Sequence, residues 1–548
     1  MNKLIECVPN FSEGNDLSII KQITEEIEKI DGVKLLNVDP GKATNRTVVT
    51  LVGNPDACVE ACFQAIKKAG EFIDMSKHKG EHPRMGATDV SPFIPIAGIS
   101  MTETAQYATK LAERVGKELK IPVYLYEAAQ KNPARKNLSI IREGEYEGFS
   151  KKIKLAEWKP DFGPAEYDLK RGATVIGARD FLVAYNVNLN TTSTRRANAV
   201  AFDVREAGRK VMLNGVEVHE PGTCKAVKGI GWYIQEYGIA QVSMNLTNIN
   251  ITPVHIAFEE CMKSAFNRGM RVTGSELVGL IPLKSLLDAG KYFLRKQQRS
   301  TGVSEKELIK IAVKSLGLDD LTPFKPEERI IEYLLNTDSS AKLVKMNLTE
   351  FADETASESP APGGGSISAY IGALGISLGT MVANLSSHKK GWDERWEEFS
   401  KWAEKGQKIK DELLKMVDED TNAFNKIMTA FGLPKATAEE KRSRDKAIQS
   451  ATKYATEIPF KVMQLSFESM EVIKAMAEKG NPNSVSDAGV GALCARSAVM
   501  GAFLNVKINA KGLQDKKFSG SIVQKGKNIE EKAKKLEANI LAIVRRKI

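Results

Sequence analysis

The sequence predicts a multidomain chain, with two α/β (α+β) sandwich subdomains followed by an all-α helical domain. Three observations carry this expectation. A chain of 548 residues is too long for one hydrophobic core and fits about three or four units. Strand-like and helix-like patterns alternate through the first part of the chain. After Pro323 strand signals almost vanish, and alanine, lysine, glutamate and methionine recur at helical spacing to the end.

Each element has its own pattern. Residues 4–8 form a short apolar strand, 17–30 an amphipathic helix, and 33–38 and 48–52 two further strands. A helix over 55–68, a strand over 93–97, a helix over 103–118 and a strand over 122–126 complete the first unit. A second unit begins near Thr174, with Val175, Ile176 and the run 181–187. The segment 144–172, rich in charge, proline and glycine, joins the two. The expected boundaries are 1–173 and 174–325 for the sandwich subdomains, 326–345 for a helical linker, and 346–548 for the helical domain.

Composition narrows the function classes. Hydrophobic content of 42% and charged content of 27% are ordinary for a globular protein. No Lys- or Arg-led apolar segment opens the chain and six cysteines are too few for a disulfide framework, so a cytoplasmic location is expected. Cys58 and Cys62 share one helix face and lack a matching second pair, which favours packing over metal binding. The net charge is +10, and residues 501–548 carry twelve Lys/Arg against four Asp/Glu. No nucleic-acid recognition module accompanies this charge, so no nucleic-acid partner is expected. A solvated helix face is the simplest reading, and attraction of a polyanionic small molecule is another.

The densest chemistry lies in His78-Lys-Gly-Glu-His82-Pro-Arg84-Met-Gly-Ala-Thr-Asp89. Twelve residues hold two of the five histidines, an arginine and two carboxylates. Gly80, Pro83 and Gly86 place them on a loop, where functional groups concentrate. His78 and His82 match an H-x-x-E-H zinc pattern, but that chemistry needs both rings on one helix face. Gly80 interrupts such a helix, and Pro83 holds His82 out of the helical region. Proton transfer by an imidazole is the better reading, and no metal is expected.

The helical domain has its own candidate. Gly363, Gly364, Gly365 and Ser366 precede a long helix, where backbone amides can approach an anion. In that helix Ile367, Ile371, Leu374, Leu378, Val382 and Leu385 form a stripe long enough to raise a membrane span. Its glycines and small polar residues favour a bundle core or a dimer interface, and no membrane is expected. Further on, Leu413, Val417, Asp420, Phe424, Ile427 and Phe431 share a stripe. Asp420 on that apolar face either pairs with a buried arginine such as Arg496 or keeps its proton for donation. Asp418 lies about 200° around the helix and faces elsewhere.

These runs resemble known families. The loop 78–89 is similar to the active-site loop of glutamate formiminotransferases. Cys7-Val-Pro-Asn-Phe-Ser-Glu-Gly14, Asp39-Pro-Gly-Lys-Ala-Thr-Asn-Arg46, Phe162-Gly-Pro, Gly177 to Leu189 and Gly274 to Leu280 agree with it. The Pro-Gly-Gly-Gly-Ser run, Asp-Glu-Asp-Thr-Asn-Ala-Phe around Asp420 and Asn481-Pro-Asn-Ser-Val-Ser-Asp487 resemble formimidoyltetrahydrofolate cyclodeaminases. Their order matches the bifunctional formiminotransferase-cyclodeaminase family across the chain.

The resemblance implies a folate enzyme of histidine degradation. The formimino group passes from N-formimino-L-glutamate to N5 of tetrahydrofolate, and ring closure then gives 5,10-methenyltetrahydrofolate and ammonia. Tetrahydrofolate, expected with a polyglutamate tail, is the acceptor substrate. The catalytic roles fall on His82 and Asp420, with Asp418 the nearest alternative. Asp39 or Asp89 would orient the imidazole, and Arg46 or Arg84 would hold a carboxylate. A folate-binding segment falls on Gly163, Pro164, Ala165, Glu166, Tyr167, Asp168, Leu169, Lys170, Arg171 and Gly172. A homo-oligomeric, dimer-based ring is implied as well. The rival readings are a cyclohydrolase-like helical domain and a non-catalytic folate-binding scaffold.

Overall fold

The computed structural model describes residues 3–213, 216–335 and 342–548. Residues 336–341 of the expected linker lie outside them. The chain divides into two compact units, residues 1–289 with 312–336 and residues 290–311 with 337–548.

Among the described residues the first unit holds a seven-stranded sheet, a four-stranded sheet and a two-stranded hairpin. Strands β1 (Leu4–Cys7) and β2 (Asn10–Phe11) lie between β4 (Arg46–Gly53) and β5 (Thr88–Ala97), all antiparallel, with β3 (Val33–Gly41) outside β4. Beyond β5 come β7 (Thr174–Ala178) and β6 (Val123–Glu127), both paired in parallel. One face packs on helices Leu17–Glu28, Pro55–Phe72 and Met101–Arg114, which are capped by Asp16, Asn54 and a Ser100–Glu103 capping box. Ile5, Cys7, Phe11, Val49, Leu51 and Phe93 belong to that core. Side chains alternate across a strand, so Glu6, Asn10 and Arg46 lie on the opposite face. That face carries the functional groups.

The boundary at residue 174 needs correction. Thr174–Ala178 belongs to the first sheet, not to a second unit, and all five of its residues are buried. A parallel strand reached by a crossover is covered on both faces, so it reads as a continuous apolar run that periodicity cannot assign. The second sheet follows it, antiparallel throughout, in the order β11 (Val227–Ile234), β12 (Ile239–Leu246), β8 (Val183–Leu189), β13 (Val272–Val278). Helices Thr194–Val204 and Val254–Asn267 pack against it. The strands β9 (Arg209–Leu213) and β10 (Val216–Glu220) form a separate hairpin.

The second unit is a bundle of long helices: Gly364–Ser387, Trp396–Phe431, Ala438–Lys479, Val485–Lys511 and Lys516–Arg545. It also claims residues 290–311, which the sequence reading gave to the second sandwich. The backbone amide of Thr301 donates to Ser400 Oγ at 2.9 Å, and Asn384 Nδ2 donates to the Gly302 carbonyl at 2.9 Å.

The stripe expected on helix Gly364–Ser387, for a bundle core or a dimer interface, lies only partly in the core, with Val382 buried. Leu374 and Leu385 are each 45% exposed, while the buried side is Ser366, Ala369, Gly372, Ala373, Ile376, Gly379 and Ala383. The helix packs against three others, and small residues let their backbones approach closely. A Cβ on Gly375 would meet the Gly491 carbonyl at 2.9 Å. Gly364–Ser387 and Pro482–Lys511 are both long and apolar enough to cross a membrane, with 61% and 50% of their most apolar windows buried in the bundle.

Candidate active sites

The first site stands on strands, not only on the loop. Asn10 on β2 accepts from Arg46 Nε and Nη2, at 3.0 and 2.7 Å. This aims the Arg46 guanidinium at Asp89, with Nη1 2.7 Å from Oδ2. Arg142, from the turn after Leu138–Ile141, grips the same carboxylate through both Nε and Nη2. The Met85 amide donates to Asp89 Oδ1 at 3.0 Å. Burial opposes ionisation of Asp89, but Arg142 and Arg46 hold its pKa below the usual carboxylate range. Burial pushes Arg46 down to about 10.

His82 sits in this cluster. Its Nδ1 lies 2.7 Å from Arg46 Nη1 and 2.7 Å from the Pro83 carbonyl. One nitrogen cannot accept from the first and donate to the second at once. The two neighbours therefore stabilise opposite tautomers of a neutral ring. With the proton on Nδ1, given to Pro83 O, Nε2 is a base. With Nδ1 accepting from Arg46, Nε2–H is an acid. Burial, then Arg46 and Arg142, depress the His82 pKa well below the ordinary histidine value, so the ring is neutral at pH 7.

The loop around His82 is pinned at several points. His78 Nε2 donates to the Asn45 carbonyl at 2.8 Å, and its Nδ1 accepts from Arg84 Nε at 3.2 Å. Both His78 nitrogens are spent structurally, and residues 79–83 are not helical, so the zinc-type reading of the pair finds no support in the geometry. Gly80 passes so close to Thr44 that a Cβ would meet its carbonyl at 2.3 Å.

Several residues expected to bind or orient have partners within the protein. The Arg84 guanidinium pairs with Glu145 at 3.1 Å and Glu147 at 2.6 Å. Asp39 does not orient His82; its Oδ2 accepts from the Gly279 amide at 2.8 Å and from Arg329. Asp89 is linked to the ring through Arg46, whose Nη1 contacts both. In the segment 163–172, Lys170 donates to the Glu71 carbonyl at 2.7 Å, and Arg171 is held by Asp168 and the Leu119 carbonyl. Tyr167 packs against Tyr146 and Phe149. Gly172 turns with φ +68° against Met85 O, and Gly163 turns with φ +84° against Ile121 O. The segment buttresses Met85–Ala87, while Pro164, Ala165, Glu166 and Leu169 lie on its outer, partly to fully exposed side. Sequence reasoning missed Arg142, which is 60 positions from His82 and has no local signature, and Asn10, which lay inside a quoted motif.

The second site forms where helix Gly364–Ser387 begins. Gly363 is its N-cap residue. The carboxyl of Asp420, from helix Trp396–Phe431, rests on Gly365, where a Cβ would lie 2.1 Å from Oδ1. Ser366 donates its backbone amide to Asp420. Its hydroxyl donates to the Val417 carbonyl at 2.8 Å and lies 3.3 Å from Asp420 Oδ2. The one hydroxyl proton is thus shared between the Val417 carbonyl and the Asp420 carboxyl, with the shorter contact to Val417. Burial raises the Asp420 pKa, against the hydrogen bonds from Ser366. Arg496 is not its partner and pairs instead with Glu537 at 2.9 Å. Asn505 flanks Gly364, 3.4 Å from the position of a Cβ there.

Asp418 does a different job. It is 7% exposed and accepts the backbone amides of Lys342, Leu343 and Val344, capping the turn Leu343–Lys345. The run at Asn481 is also elsewhere. Its amide donates to Ser386 Oγ at the far end of helix Gly364–Ser387, about 33 Å from Gly364 at 1.5 Å per residue.

A neutral imidazole in one unit and a desolvated carboxyl in the other are groups of the acid–base class, one in each unit. Family models match along the chain: "Formiminotransferase domain, N-terminal subdomain" over residues 4–179, "Formiminotransferase domain" over 184–336, and "Formiminotransferase-cyclodeaminase" over 347–528. The formimidoyltransferase-cyclodeaminase of Gallus gallus is 43% identical over 548 residues, covering 100% of both chains. A glutamate formimidoyltransferase of Thermoplasma acidophilum is 41% identical, covering 56% of this chain and 98% of its own. A methenyltetrahydrofolate cyclohydrolase of Methylorubrum extorquens is 38% identical, covering 36% of this chain and 95% of its own. The chain belongs to the formimidoyltransferase-cyclodeaminase family.

Proposed function

We propose that this protein transfers the formimino group of N-formimino-L-glutamate to N5 of tetrahydrofolate, then cyclises the product to 5,10-methenyltetrahydrofolate with loss of ammonia. The supporting observation is the full-length match to relatives named for both activities, with an acid–base group in each unit.

Transfer uses the residues around His82. N5 attacks the amidine carbon and must lose a proton, which neutral Nε2 takes. The glutamate nitrogen must gain a proton to leave, and the same imidazole returns it. Asp89, Arg46 and Arg142 fix the ring, and the two guanidinium groups favour a substrate bearing carboxylates. Cyclisation uses Asp420. N10 closes on the formimino carbon, and the departing amino group takes the proton that burial keeps on the carboxyl. The amides at Gly364 and Gly365 suit an anionic part of the folate.

The finer picture follows from the same reading. The two sheets form the transferase, and the polyglutamate tail meets basic surface on the helical unit. The protein is cytoplasmic, in keeping with six free thiols. A homo-oligomer forms through the exposed Leu374, Met381 and Leu385 row.

Supplying formiminoglutamate and tetrahydrofolate to purified protein, with glutamate, ammonia and methenylfolate followed separately, tests the proposal. Glutamate and ammonia in equal amounts support it. Glutamate without ammonia would leave the helical unit as the cyclohydrolase its 38%-identical relative is named for.

A further inference from the structure

Glu6 is a buried acid that the mechanism above does not use. It lies on β1, opposite Val52 on one side and Ile94 on the other. Ile5 and Cys7 beside it point into the helix-covered core, so Glu6 projects from the functional face. The residue is 2% exposed, and its Oε2 finds no hydrogen-bond partner among the described residues. A buried, unpaired carboxylate oxygen is expensive, and proteins rarely leave one without a purpose. Burial, opposed by Arg179, pushes the carboxyl up to about 7.

Its position relative to His82 can be traced. Tyr126 on β6 lies within electrostatic range of Arg142 and Arg179, and Arg46 in turn senses Tyr126. Strand register gives the path over the sheet: Tyr126 pairs with Gly177, Gly177 with Pro92 on β5, and Ile94 on the same strand with Glu6. Gly177 lets Tyr126 lie flat on this path, since a Cβ there would meet the ring at 2.5 Å. Along the chain, Glu6 is four residues from Asn10, at most about 14 Å for an extended chain. A fused bicyclic ring with a hydrogen bond at each end spans a gap of that order, given about 2.9 Å per hydrogen bond.

We infer that Glu6 recognises the hydrogen-donating edge of the pteridine, the ring N3–H and the 2-amino group, while N5 at the opposite side faces His82. This rests on the transferase reading and adds a specificity residue to it. A carboxylate is the acceptor whose two oxygens match two adjacent N–H donors. The unpaired Oε2 is then a prepared subsite, and Arg179 keeps the anionic form available.

The test uses the full-length protein, Glu6→Gln, and tetrahydrofolate beside its 2-desamino analogue. For the unaltered protein, the analogue should have a KM about 10- to 100-fold higher than tetrahydrofolate, the range for losing a charge-assisted hydrogen bond. Glu6→Gln should raise the tetrahydrofolate KM by a similar factor, leave the formiminoglutamate KM unchanged, and no longer distinguish the analogue. Equal KM values for both pterins with the unaltered protein would overturn the inference without any variant. A variant in which both substrates lose equally, or the unfolding midpoint falls, would point to a structural role and overturn it too. Absence of transfer by the unaltered protein would instead sink the transferase reading.

Discussion

Replacing Gly365 by alanine should stop cyclisation while leaving the helix intact. The added Cβ would sit 2.1 Å from Asp420 Oδ1 and 2.5 Å from both Cγ and Oδ2. Ordinary contact needs about 3.5 Å, so the carboxyl must retreat by more than about 1 Å. A displacement of that size costs about 100-fold in rate, or about 2.7 kcal/mol of barrier. The helix itself gains, since alanine is favoured over glycine in a helix by about 1 kcal/mol. Gly364→Ala is the informative neighbour. Its Cβ meets only Asn505, at 3.4 Å, so it should raise the folate KM by crowding the amides and spare kcat. The assay supplies 5-formiminotetrahydrofolate and follows ammonia. Retention of more than about a third of the cyclisation kcat in Gly365→Ala would refute the placement of Asp420 as the proton donor.

His82→Ala should abolish glutamate release from formiminoglutamate, yet still release ammonia when the formimino folate is provided; a transfer rate above about 1% of normal would remove the base from its role. Because burial and two guanidinium groups lower the His82 pKa, transfer should stay flat as pH falls through about 6.5, where an ordinary histidine would charge. Asp420 has the opposite sign: its folded pKa is raised, so its contribution to stability is full below the unfolded value and fades as pH rises through the folded one. Asp420→Asn should therefore raise Tm at pH 8 but not at pH 4, and ammonia release by the unaltered protein should decline with rising pH. Asp418→Asn should cost about 1–3 kcal/mol in urea unfolding, because a cap on three backbone amides loses its charge. Arg142→Ala leaves buried Asp89 with one guanidinium and should destabilise the protein by about 3 kcal/mol; a loss below about 0.5 kcal/mol would mean that Arg46 alone satisfies it.

The sequence reading reached the elements carried by clear periodicity. Most strands and capped helices of the first 127 residues lie within a few positions of where the pattern put them, but β2 was not expected and β5 begins at Thr88, five residues early and inside the expected loop. It failed where burial on two faces erases periodicity, as at Thr174–Ala178, and where tight packing inverts the usual rule, as on helix Gly364–Ser387. The composition of the loop 78–89 pointed to His82, but nothing local said that Asn10, Arg46 and Arg142 converge on it. Chemical type alone could not separate Arg84, already paired with two glutamates, from Arg46. On the helix carrying Asp418 and Asp420, counting separated the two carboxyls, because a helix fixes direction by counting. The expected stripe is not the buried face, however: Phe424 and Phe431 are 39% and 50% exposed, and Asp418 is buried.

That counting has a consequence for how the chain tolerates change in length. Trp396–Phe431 is one unbroken helix of 36 residues. Inserting or deleting a single residue ahead of Asp418 would swing everything beyond it by about 100°. The cap on residues 342–344 and the acid resting on Gly365 would then be lost together. Residues 432–437, outside any helix, can take up insertions that the preceding stretch cannot.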